Sequence, residues 1–264
     1  MKRDMLRRFS YIESCLYWGG GITATQLGQT FDIARQNAQA TIERYRQQNP
    51  ESMVYNPSSK RHEASESFVP QHINQEARQY LNYLRGNSLC SRFWEDEEWG
   101  HLPVVDVEAV YRPYLDKAIV RLVVSAIHKQ QTLQLYYHSK ALGHEYLTIA
   151  PNHLVYADRR YHLRAYCYQQ NRFIDLVLSR ILEADLAFED WVSSAEDEAW
   201  NEHIELRFTP NPALPEALKQ TLLLDFRLED NIYTLHVRKA LQFYIERQMT
   251  QPDWQHQIPL WQSA

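Results

Sequence analysis

Apolar residues recur at helical spacing from the start of the chain: Met5, Phe9, Ile12 and Leu16 share one face. Gly19-Gly20-Gly21 ends that helix. Thr23 stands where an N-cap belongs, ahead of a short second helix whose Leu27 and Phe31 lie four apart. Asp32-Ile33 makes a turn, and Ala34 opens a third helix with an apolar stripe of Ala38, Ile42 and Tyr45. Two short helices joined by a tight turn predict a helix-turn-helix. Met53-Val54-Tyr55 reads as a strand and Asn56-Pro57-Ser58-Ser59 as a turn. A second strand reaching about Phe68-Val69 would complete a wing.

Between Pro70 and Gly100 the pattern is first helical, through Ala77, Leu81 and Leu84, and then acidic, with Trp94 and Trp99 among Glu95, Asp96, Glu97 and Glu98. Residues 108–130 return to helical spacing through Leu115, Ile119, Leu122, Val123 and Ile127. The period then shortens to two. Strands are predicted over Leu133–Ser139, Tyr146–Ala150, Leu154–Tyr156, Tyr161–Cys167 and Phe173–Ile181. Five short strands with close turns suggest a small, strongly bent sheet or partial barrel. In the tail, Ile204–Phe208 reads as a strand and Leu214–Leu223 as a helix. Phe226–Leu228 with Tyr233–Val237 reads as a hairpin around Asp230-Asn231, and Leu241–Met249 as a last helix. No repeat or low-complexity segment interrupts this order.

Charge changes the picture by its distribution. The net charge is −5, which taken alone argues against a polyanionic partner. Residues 1–62, however, hold nine Lys/Arg against five Asp/Glu, and residues 121–182 hold eight against three. Residues 183–205 hold nine acids and no Lys or Arg. Local field, not the total, attracts a polyanion. The chain therefore has two separate basic blocks. Cys15, Cys90 and Cys167 lie far apart with no paired spacing, as expected of thiols in a reducing cytoplasm. No run approaches the roughly 20 apolar residues of a membrane span.

In the first basic block, helical spacing puts Arg35, Gln36, Asn37 and Gln39 off the apolar stripe, near the start of the second helix of the pair. Arg pairs bidentately with guanine, and Asn or Gln with adenine, in the major groove. Thr23 and Thr25 at the first helix, with Lys60 and Arg61 in the wing, would meet phosphates or the minor groove. A small helical domain with an incidentally polar face is the plain alternative.

In the second block, alternation puts His162, Arg164 and Tyr166 on one face of their strand and Tyr161, Leu163, Ala165 and Cys167 on the other. Arg180 would share a face with Ile174, Leu176 and Leu178. Arginine among apolar neighbours needs a partner, here Asp175 or an anionic ligand.

Tyr161-His162-Leu163-Arg164-Ala165, followed by Leu178-Ser179-Arg180-Ile181, resembles the WYL domain, named for a Trp-Tyr-Leu signature of which only Leu163 is kept here. The subgroup it looks most like is the phage-defence (BREX- and CBASS-linked) repressors, whose pattern reads Trp-His-Val-Arg-Ala. Tyr137-His138-Ser139 looks like the family's Tyr-x-Ser. Asn152 stands after Pro151, where related sequences often have His, and His153 follows. The resemblance implies an α+β architecture: an N-terminal winged helix-turn-helix (1–70), a helical connection (71–120), a WYL domain with an Sm-like bent sheet (121–190) and a small C-terminal α+β dimerisation domain (200–264). It implies a ligand site at Tyr137, Ser139, Asn152, His153, His162, Arg164 and Arg180. The ligand would be anionic, a nucleotide or nucleic-acid fragment.

No Gly-rich phosphate loop, His-Glu-x-x-His or paired-Cys motif is present, so neither catalysis, a metal nor a cofactor is expected. The sequence thus leads to a homodimeric cytoplasmic repressor of a phage-defence operon, binding a palindromic operator on double-stranded DNA and released by its ligand. A ligand-dependent activator, or a nucleic-acid-sensing accessory protein with no promoter target, would have the same parts.

Overall fold

A computed structural model describes residues 3–89, 114–228 and 230–264. The chain divides into two compact units, Met1–Tyr156 with Arg160–Trp191, and Ala157–Arg159 with Val192–Ala264.

The first unit begins with α1 (Arg3–Tyr17), α2 (Ala24–Phe31) and α3 (Arg35–Gln48). Phe9, Ile12 and Leu16 of α1 are buried against Leu27 of α2 and Ala38, Ile42 and Tyr45 of α3, as the spacing requires. Thr23 caps α2 by accepting from the Gln26 N–H at 3.1 Å. Asp32, at φ 50°, makes the left-handed turn into α3. The wing is β1 (Met53–Asn56) against β2 (Arg61–Ala64), antiparallel, with Asn56 opposite Arg61. The Asn56 side-chain carbonyl accepts from the Ser58 N–H at 3.0 Å, and this local bond shapes the tip. The second wing strand ends at Ala64, short of the expected Phe68-Val69, because the chain turns over residues 65–68, where the Phe68 N–H donates to the Ser65 carbonyl at 3.2 Å. Gly21 is where the wing meets the helices. The Ile22 N–H donates to the His62 carbonyl at 2.8 Å. A Cβ on Gly21 would lie 2.7 Å from that same carbonyl, at a φ of +132°.

Two further helices follow, α4 (Ala77–Leu89) and α5 (Lys117–Lys129). The acidic Trp94–Trp99 stretch, and the expected helical start at 108, lie outside the described residues. Asp116 caps α5, accepting from the Ala118 and Ile119 N–H groups. A five-stranded sheet comes next: β3 (Leu133–Ser139), β4 (Gly143–Ala157), β5 (Arg160–Cys167), β6 (Arg172–Val177) and β7 (Ile181–Leu186), in the order β6-β5-β4-β3-β7. Two expected strands are one here, because β4 runs through Pro151. Proline removes only a donor, and the Pro151 carbonyl is used, accepting from the Trp191 indole at 3.2 Å.

The expected strand Phe173–Ile181 is instead broken. β6 stops at Val177, Leu178–Arg180 forms a 3-10 turn, and β7 starts on the opposite edge of the sheet. Flat, five strands would hold the two edges about 19 Å apart, while three residues of 3-10 helix rise about 6 Å. The sheet must therefore curl. It does not close, but the Tyr137 hydroxyl on β3 accepts from the Val177 N–H on β6 at 3.1 Å. The inner face packs Leu133, Leu135, Leu147, Ile149, Leu163, Leu176 and Ile181 on Val120, Val123 and Val124 of α5.

The second unit holds α6 (Glu198–Asn201), β8 (His203–Pro210), α7 (Glu216–Asp225), β9 (Tyr233–Arg238), α8 (Gln242–Met249) and β10 (Trp261–Ser263). Its sheet order is β10-β8-β9, over a core of Leu206, Phe208, Leu214, Leu222 and Trp261. The expected hairpin of 226–228 with 233–237 does not form. The Phe226 and Leu228 N–H groups close the end of α7 on the Leu222 and Leu223 carbonyls, and Arg227 takes a φ of 48°. β9 pairs with β8 instead, Ile204 opposite Val237.

Candidate functional site

One face of α3 is committed to the core by Ala38, Thr41, Ile42 and Tyr45, so the polar residues between them are exposed. Arg35, Gln36, Asn37 and Gln39 all stand in solvent over the first turn and a half, and Thr25 is exposed at the start of α2. Thr23 is half-buried, its hydroxyl oxygen engaged as the α2 cap. Lys60 is exposed at the wing tip, at φ 54°, and Arg61 beside it is half-buried. The structure adds two residues that the sequence reading left out. Arg44 is exposed eight residues after Gln36 on the same helical face, a spacing visible in the sequence. Tyr55 is 57% exposed on the wing, its ring edge-on to His62 at 5.3 Å. Burial, and next the Arg46 charge, hold the His62 imidazole below its ordinary pKa.

One buried carboxylate orders this reading head. Glu13 is 0% exposed. It accepts from the Tyr45 hydroxyl at 2.9 Å, and from the backbone N–H groups of Gln71 and His72 at 2.9 and 2.6 Å. α1, α3 and the segment leading to α4 are thereby pinned at one point.

On the five-stranded sheet, the expected ligand residues fall into distinct environments. Tyr137 belongs to the inner core with Tyr161, Leu163 and Ala165. Ser139 accepts from the Ala141 and Leu142 N–H groups at the β3–β4 turn. Asn152 is buried and donates to the Ala150 carbonyl at 3.0 Å, and His153 beside it is half-buried. His162 and Arg164 alternate with Tyr161 and Leu163 on β5 and so share its other face, where both are buried. Arg164 stands opposite Asp175 on β6, and its guanidinium donates to that carboxylate at 3.2 Å. Asp175 is thus an internal partner for Arg164, and in this conformation it compensates part of the cost of that buried charge. Arg180 lies in the 3-10 turn, half-buried, and not on a strand face with Ile174, Leu176 and Leu178. His162 and Arg164 are therefore brought together, while Tyr137 and Ser139 serve the core and a turn.

The helix-turn-helix head and the five-stranded sheet are joined by α4. The Tyr161 hydroxyl, on β5, donates to the Asn82 side chain at 3.0 Å. Arg85 lies 3.9 Å over the Tyr156 ring. Two residues before Asn82 on the same helix, Tyr80 stacks on Trp18 of the α1–α2 connection, with centroids 4.6 Å apart and planes 4° apart. Arg121 of α5 donates to the Tyr17 carbonyl at 3.0 Å and covers its ring at 4.0 Å. Among the described residues, no cluster of three His, Cys, Asp or Glu is placed to hold a metal, and no helix is long and apolar enough to cross a membrane.

Comparison with known proteins agrees with this division. The BrxR transcriptional regulator winged helix-turn-helix domain matches residues 4–86, the WYL domain residues 118–186, and the BrxR C-terminal dimerization domain residues 203–254. The chain is similar to the DNA-binding transcriptional repressor CapW of Escherichia coli (strain KTE188), 28% identical over 257 residues, 96% of this chain and 85% of that one. CapW of Stenotrophomonas maltophilia is 27% identical over 92% of this chain and 82% of its own, and CapW of Pseudomonas aeruginosa 28% over 90% and 80%. A solved structure of proteasome accessory factor B/C of Arthrobacter aurescens aligns at TM-score 0.26 and 11% identity, over 99% of this chain and 46% of that one.

Proposed function

With a BrxR-type winged helix, a WYL domain and a BrxR-type dimerization domain in one chain, the protein belongs to the WYL-domain transcriptional regulators, and we propose that it is a homodimeric, cytoplasmic repressor of a phage-defence operon. Two copies would present two α3 helices to the half-sites of a palindromic operator, with Arg35, Gln36, Asn37 and Gln39 reading bases. Thr25, Lys60 and Arg61 would hold phosphates, and Thr23 would orient the start of α2 towards the backbone. Residues 1–70 would form the reader, 71–120 the connection, 121–190 the sensor and 200–264 the dimer contact. An anionic ligand, a nucleotide or nucleic-acid fragment, would bind at His162, Arg164 and Arg180, bordered by Asn152 and His153.

The observation that carries this reading is the Tyr161–Asn82 bond, which ties the sensor strand to the helix on which the reader packs. A ligand shifts an equilibrium only by binding its states unequally. One that displaces Asp175 from Arg164 would favour whichever β5–β6 arrangement leaves that guanidinium free for it. The reading is tested by gel shift of the full chain on the duplex upstream of its own operon against a scrambled duplex at moderate salt, with a reporter in a deletion strain. Selective retention and a rise in reporter output support repression. A fall in output would mean activation, and equal retention of both duplexes would mean a nucleic-acid-binding protein without a promoter target.

A further inference from the structure

A cleft of about 580 Å³ lies in the first unit, lined by α1, the last turn of α2 and residues 73–83. It involves neither the exposed face of α3 nor the His162–Arg164 face of the sensor sheet. Its walls carry five aromatic side chains, Tyr11, Trp18, Phe31, Tyr80 and Tyr83. Four of them are fixed in pairs: Tyr11 edge-on to Phe31 at 5.5 Å, and Trp18 stacked on Tyr80. The Tyr11 hydroxyl accepts from Thr30 at 2.9 Å and from Gln26 at 3.4 Å, which sets the orientation of that ring. Ser10, Ser14, Thr30, Asn74 and Gln79 add polar groups to the walls, and Arg7 supplies a cation. A cleft of this volume that sets aromatic rings beside polar side chains has the form of a small-molecule site.

We propose that this cleft binds a planar aromatic carboxylate. The Tyr11, Phe31, Tyr80 and Tyr83 rings, none of them fully buried, offer faces and edges to a flat apolar body over the buried Trp18, and the Arg7 guanidinium matches a carboxylate. The place gives binding a consequence. Thr30 and Phe31 are the last residues of α2 before the turn into α3, while Trp18 and Tyr80 are where the α1–α2 connection meets α4. An occupant touches the reading pair and the connecting helix together, so it biases operator affinity through a site separate from the sensor sheet.

The test uses the full chain labelled with fluorotryptophan, with naphthoate as probe and fluorine NMR as readout, the Trp18 resonance being assigned from its loss in Trp18→Phe. The expected result is a saturable shift of that resonance, with a Kd of ~1 mM or tighter, the affinity a ligand of this size reaches at ordinary efficiency. Ser14→Phe, which fills the cleft, and Tyr83→Ala, which removes a ring that is 55% exposed and so tolerates loss, should each weaken binding by about tenfold or more. Arg7→Gln should weaken naphthoate while leaving neutral naphthylmethanol unchanged. The proposal is overturned if Trp18 shows no saturable shift at concentrations an order of magnitude higher, or if both cleft variants bind naphthoate as the parent does. It is equally overturned if the Trp18 resonance follows protein concentration alone, which would put a second copy in the cleft.

Discussion

Replacing Glu13 with alanine should loosen the reading head far more than any surface change in it. The carboxylate is fully buried and accepts three hydrogen bonds, from Tyr45, Gln71 and His72. The Tyr45 side chain is 1% exposed, so its hydroxyl would lose its carboxylate acceptor and keep only Ser52 beside it, at about 1–3 kcal/mol. Gln71 is exposed and His72 half-buried, so water can recover part of what their N–H groups lose. Removing a buried charge also returns some desolvation energy. The balance is a loss of about 3–4 kcal/mol, within the range for breaking one side of a buried charged contact. Tyr45→Phe removes one of the three bonds and leaves no orphaned donor, so about 1–1.5 kcal/mol is expected. Glu13→Gln should fall between, since one amide oxygen cannot serve all three donors. Global unfolding of a chain with two compact units is not a single transition, so the assay is hydrogen exchange of α1 and α3 peptides in the intact protein. Exchange in Glu13→Ala should quicken by about two to three orders of magnitude. The reasoning fails if Glu13→Ala exchanges no faster than Tyr45→Phe.

Three further outcomes follow from the same geometry. Arg35→Ala should remove about 1–3 kcal/mol of discrimination between operator and mismatched duplex if it reads a base; unchanged preference by gel shift would take it out of the reading set. Arg164→Ala alone should destabilise the sensor sheet by leaving Asp175 without its partner, whereas Arg164→Met with Asp175→Leu should restore stability while abolishing ligand response; a double variant that still responds in a reporter strain would place the ligand elsewhere. His62 has a folded pKa depressed first by burial and then by Arg46, so its contribution to stability is present above its ordinary value of 6.5 and is lost as pH falls through the lower folded value. Wing peptides should therefore exchange faster once intrinsic exchange rates are corrected for pH, and His62→Phe should abolish that dependence.

The reading head was legible because its rules are local. Helical spacing put Phe9, Ile12, Leu27, Ala38, Ile42 and Tyr45 in one core, and Thr23 is the cap its position requires. The sheet was legible in its strands but not in its connections. Periodicity shows that Phe173–Val177 is extended. It does not show that Leu178–Arg180 turns to the far edge, since that follows from the curl of strands distant in sequence. Arg180 was misplaced for that reason, and β7 went unread past Ile181, where Glu183 and Asp185 open the acid-rich stretch and interrupt the strand pattern. The Arg164–Asp175 pair is likewise a register fact, fixed by the β5–β6 turn. In the tail, Phe226-Arg227-Leu228 has strand composition, but its N–H groups were already claimed by the end of α7. Glu13 left the weakest trace, for its three donors come from two other parts of the chain, residue 45 and residues 71–72.

The motif by which the chain resembles the WYL domain also has a structural use that a strand-face reading does not reveal. Alternation puts Tyr161 on the inner side of β5, away from His162 and Arg164, which by itself suggests core filling. Its ring does pack there, against Tyr156 at 5.0 Å. Its hydroxyl nevertheless leaves the core to bond Asn82 on α4. A displacement of β5 that accommodates a ligand on the His162 face must either break that bond or carry α4 with it. α4 is held in turn by the Tyr80–Trp18 stack, so carrying it changes the packing beneath α1. Tyr161→Phe separates the two cases: it keeps the ring and its packing and removes only the tether, at about 1 kcal/mol. If the tether transmits the signal, this variant should hold operator as the parent does yet release it less readily when the inducing stimulus is applied to reporter cells. If release is unchanged, coupling runs instead through the Arg121–Tyr17 contact of α5, and Arg121→Ala becomes the variant that loses the response.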